Sequence, residues 1–176
     1  MGKLINTTTL TVDGVTDVGE WHVVEGEHDR ASRCEVALPP GVQPLNLRLH
    51  LEHFPGQTAT AMLPTATWAG PRDQTWATLT DTLGVPPAPS IGERMAISAP
   101  DAPALAGTVV DVSPWRLALL LDQPAPGTAF LAVEGSGEQV AVSIWSYLYG
   151  PDGAAIAERD EPLWQHWLTA RALAKG

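Results

Sequence analysis

The sequence predicts an α+β domain in which a curved antiparallel sheet packs on a C-terminal helix. Three observations carry that expectation. Sixteen prolines and sixteen glycines among 176 residues cut the chain into short pieces, which favours strands over long helices. Strand-like segments between residues 94 and 149 follow one another through short links, which implies an antiparallel meander. The last stretch carries Trp164, Trp167 and Leu168 at helical spacing.

Taken in order, residues 3–12 mix Leu, Ile and Val with Thr and read as a strand that turns at Asp13-Gly14, with 21–24 returning beside it. Residues 25–33 (EGEHDRASR) are polar and read as a helix start or a loop. Pro39-Pro40-Gly41 then interrupts the chain, placing a boundary between Arg33 and Val42. The expected organisation is an N-terminal segment, 1–33, and a main domain, 42–176. Leu45, Leu47, Leu49 and Leu51 alternate with Asn46, Arg48, His50 and Glu52, the period-two pattern of a half-buried strand. Phe54-Pro55-Gly56-Gln57 has Pro and Gly at the central positions of a type II turn, so 58–63 reads as the second arm of a hairpin.

Residues 73–83 (DQTWATLTDTL) read as a helix capped by Asp73, with Trp76, Leu79 and Leu83 as its apolar stripe and Gly84 as its stop. The stretch 85–90 is a proline-rich loop. Strands are expected at 94–98, 105–112, 115–122, 128–134 and 139–149, with turns at Ser113-Pro114 and Gly135-Ser136-Gly137. The second of these turns lacks the remaining glycine and the following helix of a phosphate loop. The closing helix is expected to begin at Asp160 or Glu161 with Pro162 in its first turn. A shorter helical piece over 153–159 precedes it, with Pro162 marking a kink.

Composition narrows the function. Hydrophobic residues make up 44% of the chain and mean hydropathy is −0.01, enough apolar content for a packed core. A net charge of −10 and a pI of 4.7 argue against nucleic acid or an anionic membrane as partner, because phosphates require a basic footprint. No apolar run is long enough to span a membrane, and the N-terminus lacks the basic start and apolar core of a signal peptide. The expectation is therefore a cytoplasmic protein without membrane insertion. Cys34, the single cysteine, excludes an internal disulfide. Asn6-Thr7-Thr8 fits a glycosylation acceptor only in a secreted chain.

Catalytic and metal chemistry find little support. His50 and His53, read on a strand three residues apart, point to opposite faces, so no metal pair is expected. His22 and His28 sit near Glu25 and Asp29 without a specific pattern, and His166 is expected to face solvent. Cys34 has no partner motif, no Gly-x-Ser-x-Gly elbow occurs, and helix-dipole complementarity accounts for Glu158-Arg159-Asp160-Glu161. No catalytic residue, cofactor or metal is assigned.

Aromatic residues carry more. Seven tryptophans against two phenylalanines and two tyrosines supply large apolar area with polar handles. On the last strand Trp145, Tyr147 and Tyr149 share one face while Val142, Ile144 and Leu148 share the other, so both sides of the strand are expected to be covered. Trp76, Trp115, Phe130, Trp145, Tyr147, Trp164 and Trp167 are the candidate ligand-cavity residues, with core packing as the competing role. Tyr147, Arg116 and Arg94 are the candidate polar groups for orienting a ligand.

Two resemblances follow from these residues. MGKLINTTTLTVDGV, with Trp21 soon after, resembles the opening strand of dihydrofolate-reductase-like proteins of the RibD type, over residues 1–33. That resemblance implies an NADPH-dependent reductase, with Thr11, Asp13, Gly14 and Trp21 at the matching positions. The later Gly-Arg-Lys-Thr helix start and Gly-Gly phosphate turn of that family are missing here, so such a reductase would be degenerate. ATAML with ATWAGPRDQTWATLTDTLG, TVVDVSPWRLALLLD and LWQHWLTARALA resemble the SRPBCC (START-like, helix-grip) superfamily over about residues 58–173. This second resemblance implies a sheet wrapped around the closing helix, with a mostly apolar cavity between them for a lipid, polyketide, hormone or other hydrophobic small molecule. Some of its branches are enzymes and others co-chaperones.

The expectation for function is non-enzymatic binding of a hydrophobic small molecule between sheet and C-terminal helix. A degenerate NADPH-dependent reductase and a co-chaperone or homodimer-forming interaction domain stand as alternatives.

Overall fold

A computed structural model describes residues 4–5, 21–25, 30–34 and 42–173. The chain divides into two compact units, Met1–His53 and Phe54–Gly176.

In the first unit, β1 (Leu4–Ile5), β2 (Trp21–Glu25) and β3 (Arg30–Cys34) form a three-stranded antiparallel sheet in that order. Leu4 lies opposite Glu25 and Ile5 opposite Val24, so the stretch after Trp21 does return beside the first segment. The expected turn at Asp13-Gly14 lies outside the described residues, as does His28. Part of the polar stretch read as helix or loop is strand instead: Arg30 to Cys34 pairs residue by residue with β2.

A larger correction concerns the leucine alternation. Val42–His53 is an α-helix, α1, not the first arm of a hairpin. Its residues from Gln43 to His53 include no β-branched side chain but four leucines, one Arg and one Glu, all good helix formers. Leucines two apart are also four apart, so the same spacing places Leu45 and Leu49 on one helical face, where both are buried. His50 and His53 consequently sit one turn apart rather than on opposite faces of a strand. Among the described residues, no group of three or more His, Cys, Asp or Glu side chains is placed to hold a metal.

The second unit is a seven-stranded antiparallel sheet with two helices on one face. Its elements are β4 (Thr60–Met62), β5 (Thr65–Ala69), α2 (Arg72–Thr82), β6 (Arg94–Ile97), β7 (Leu105–Ser113), β8 (Arg116–Gln123), β9 (Gly127–Glu134), β10 (Gln139–Leu148) and α3 (Gly153–Leu173). Strands β6 to β10 are sequential neighbours, the expected meander. Strands β4 and β5 both pair with β10, so they form one edge interrupted at Pro64, where a missing N–H is harmless. The sheet is open, with β6 at one edge and the β4–β5 pair at the other. The turn at Phe54 to Gln57 forms as expected, with Gly56 at φ 74° and Gln57 N–H donating to the Phe54 carbonyl at 3.1 Å, but it follows a helix.

Alternation sorts the strands into two faces. Val140, Val142, Ile144 and Leu148 of β10 join Ala129, Leu131, Val133, Leu117, Leu119 and Leu121 in the core under the helices. From α2, the inward stripe is Thr75, Leu79 and Leu83, four residues apart and all buried, while Trp76 stands half-buried beside it. Asp73 does not cap this helix. Pro71 occupies the cap without a side-chain hydrogen bond, and the Asp73 carboxylate accepts the Trp115 indole N–H at 2.5 Å.

The C-terminal helix is one element rather than two. It runs from Gly153 to Leu173 with Pro162 inside it. Ala157, Asp160, Trp164, Trp167 and Leu168 form its buried side, and that long inward stripe keeps the helix continuous past the proline.

Gly107 lies at a register shift between β7 and β8, where a Cβ would meet the Leu120 carbonyl, a backbone atom with no room to retreat. Replacement Gly107→Ala is expected to lower unfolding free energy by about 3 kcal/mol or more in urea denaturation, whereas Gly92→Ala, with open space around it but φ at 86°, costs only the strain of a left-handed alanine, about 1–2 kcal/mol.

Candidate functional site

Helix α3 is seated on the β4–β5 edge by side chains that complete that edge's backbone hydrogen bonding. Glu161 accepts the Leu63 N–H at 3.0 Å, and Gln165 accepts the Thr65 N–H at 3.1 Å while donating to the Thr65 carbonyl at 2.9 Å. Trp68, fully buried on β5, donates its indole N–H to the Leu168 carbonyl at 3.0 Å. Its ring lies 6.4 Å from Trp167, which packs edge-on against Trp164 at 5.7 Å. The outer face of Trp167 carries the Arg171 guanidinium at 4.0 Å.

The seven candidate aromatic residues are divided by this architecture. Trp164 and Trp167 lie between α3 and the sheet, 0% and 1% exposed. Phe130, Trp145 and Tyr147 occupy the opposite face, with Trp145 across from Phe130 in the pairing and Tyr147 edge-on to Phe130 at 6.3 Å. The Trp145 indole N–H donates to the Thr65 hydroxyl at 3.1 Å. Trp115 sits at the β7–β8 turn, its ring covered by the Arg72 guanidinium at 3.4 Å. Trp76 lines a cleft beside α2.

The candidate orienting arginines are engaged elsewhere. Arg94 makes a two-pronged contact with Asp122, both bonds 2.9 Å, which raises the guanidinium pKa and lowers that of the carboxyl. Arg116 is held by Asp111 at 3.0 Å and by Ser113 at 3.2 Å.

The clefts lined by described residues include two beside the helices of this unit. The larger, 920 Å³, lies where α3 faces the loops after β6 and β8. Leu163, Ala102, Pro103, Ala104 and Pro124 supply its apolar walls, and Arg159, Asp160, His166, Gln123 and Asp101 its polar ones. Asp160 is 3% exposed and receives both Nε and Nη2 of Arg159, at 2.6 and 2.9 Å. His166 is exposed, as expected, and forms part of this rim. None of these residues follows a catalytic motif, so local sequence carried no sign of them; they meet only because two loops and a helix converge. The smaller cleft, 410 Å³, lies between α2, the 86–89 loop and the β7–β8 turn.

No family model and no curated protein matches the chain. Solved structures that resemble it include DynU16, from the dynemicin biosynthetic locus, at 16% identity and TM-score 0.45, covering 62% of this chain and 47% of that one. The chain thus spans about half the length of DynU16. Protein MLL2253 from Mesorhizobium loti aligns at 15% identity and TM-score 0.49, covering 64% of this chain and 96% of that one. Ms6760 from Mycobacterium smegmatis aligns at 15% identity and TM-score 0.41, covering 65% and 86%.

Burial raises the pKa of Tyr147, and that of Tyr149 further through its neighbour Tyr147. Tyr149 is 2% exposed and stacked on Phe54 at 3.9 Å. The phenols stay neutral in the folded state where unfolded ones ionise. Their contribution is therefore complete below the ordinary pKa of 10.0 and lost as pH rises through the folded values. These are the chain's two tyrosines, so ultraviolet titration of tyrosinate is expected to show no ordinary step near pH 10.0, and stability to decline above it.

Proposed function

We propose that the chain is a non-enzymatic binding protein of the SRPBCC, helix-grip kind that holds a hydrophobic small molecule against α3, where the helix meets loops of the sheet rather than its strands. The observation that carries this reading is the 920 Å³ cleft at which α3 meets the loops after β6 and β8. Its size falls in the range of about 300–1,000 Å³ usual for ligand pockets, and its walls combine apolar carbons with a few polar groups. Among the described residues, Leu163, 47% exposed, is the one large apolar side chain that α3 leaves exposed, and it faces the cleft.

Affinity would come from apolar area removed from water, about 25 cal/mol per Å² before the cost of immobilising the ligand. Gln123, His166 and the Arg159–Asp160 pair supply the orienting hydrogen bonds. Trp164 and Trp167 are buried and do not line this cleft. The helix-grip domain belongs to residues 42–176, with 1–33 as an appended reductase-like segment, and the setting is the cytoplasm. Among the described residues no helix is long and apolar enough to cross a membrane.

The test is native mass spectrometry of the purified chain, before and after adding NADPH. A small apolar mass retained under native conditions and lost on denaturation is expected, and Leu163→Arg should reduce the retained fraction at least about tenfold by placing a charge in the apolar wall. An empty chain that takes up neither this mass nor added 1-anilinonaphthalene-8-sulfonate overturns the reading. Stoichiometric NADPH uptake overturns it in favour of the reductase.

A further inference from the structure

Trp76 is the one large aromatic side chain of α2, and the helix does not bury it in the core. Thr75, Leu79 and Leu83 take the inward positions, which rotates Trp76 and Thr80, one turn apart, to the side. There they face the 410 Å³ cleft whose other walls include Pro86, Pro87, Pro89, Pro114, Val85 and Leu117. Val112, 41% exposed, stands at its mouth. The lining has three features that bear on a ligand. No ionisable side chain contributes to it. The Thr80 hydroxyl is already spent on the Trp76 carbonyl at 2.9 Å, whereas Trp76 Nε1–H makes no hydrogen bond to the described residues. Four of the ten lining residues are prolines, whose rings lose little conformational freedom when a ligand is bound.

We propose that this cleft is a second, separate binding site, for a neutral flat aromatic molecule carrying one acceptor oxygen. A planar ring stacks on the indole and on the proline rings, and its oxygen accepts the Trp76 N–H. An anionic ligand is excluded by the absence of any lining cation and by the chain's net charge of −10, and a cationic one finds no carboxylate in the lining. The volume fits a ligand of one or two fused rings, within the usual pocket range of about 300–1,000 Å³. This site shares no lining residue with the cleft beside α3, so it stands or falls independently of the function proposed there.

The experiment uses the full chain, ¹⁵N-labelled, with coumarin as probe. Seven tryptophans give seven indole N–H signals, and the one missing from Trp76→Phe identifies Trp76. Coumarin is expected to move the Trp76 signal saturably while the buried Trp68, Trp164 and Trp167 signals stay in place. Val112→Glu, at an exposed position, should weaken the titration at least about tenfold by putting a charge at the apolar mouth. Leu163→Arg should leave it unchanged. A Trp76 signal that does not move, that moves without saturating, or that titrates identically in Val112→Glu overturns the proposal.

Discussion

The cleft beside α3 depends on how that helix is attached to the sheet edge. An edge strand presents unpaired N–H and C=O groups, and here Pro64 has already broken the edge into two short strands. Glu161 and Gln165 supply the missing partners from the helix, so the same bonds that satisfy the edge also set the position of α3 along it. Trp68 closes the arrangement from below with its bond to the Leu168 carbonyl. Because the indole is fully buried, its N–H has no access to water, and loss of that acceptor would leave a donor stranded at a cost of about 1–3 kcal/mol. The helix is therefore positioned by these polar contacts, of which the Trp68 bond is buried and the others are exposed, while the apolar stripe supplies most of the burial.

That attachment explains where space remains. The inner side of α3 is filled by Trp164, Trp167 and Leu168 against the sheet, so openings arise where the helix meets loops instead of strands. Prolines recur at these places: Pro103 and Pro124 at the larger cleft, four prolines at the smaller one. Rigid loops that cannot collapse onto a neighbouring helix keep a cleft open at small entropic cost. The high proline content and the presence of two clefts are linked in this way.

The meander was legible from the sequence almost to the residue. Expected strands at 94–98, 105–112, 115–122, 128–134 and 139–149 appear as Arg94–Ile97, Leu105–Ser113, Arg116–Gln123, Gly127–Glu134 and Gln139–Leu148. Their turns are built on Gly and Pro, local signals that need no distant partner. The leucine stretch before Phe54 was misread because leucines two apart satisfy strand and helix spacing alike, and residue propensity, not period, settled it. Pro162 misled in the opposite direction: a local rule that ends helices yielded to a buried stripe extending on both sides of it. Asp73 shows the same competition, a cap by its position that a distant indole claimed instead.

The candidate site was less legible than the fold. Sequence by itself determined the acidic, lone-cysteine character of the chain, the α+β class, the meander and the closing helix. Each follows from composition or from patterns a few residues long. Only the tertiary structure decided that Phe130, Trp145 and Tyr147 lie on one side of the sheet and Trp164 and Trp167 on the other. It alone brought Gln123, Asp160 and His166 to one cleft and turned Trp76 toward four prolines. The physical reason is separation along the chain: a side chain's face is set by local alternation, but its neighbours across a cleft are set by which strands pair and where α3 is attached.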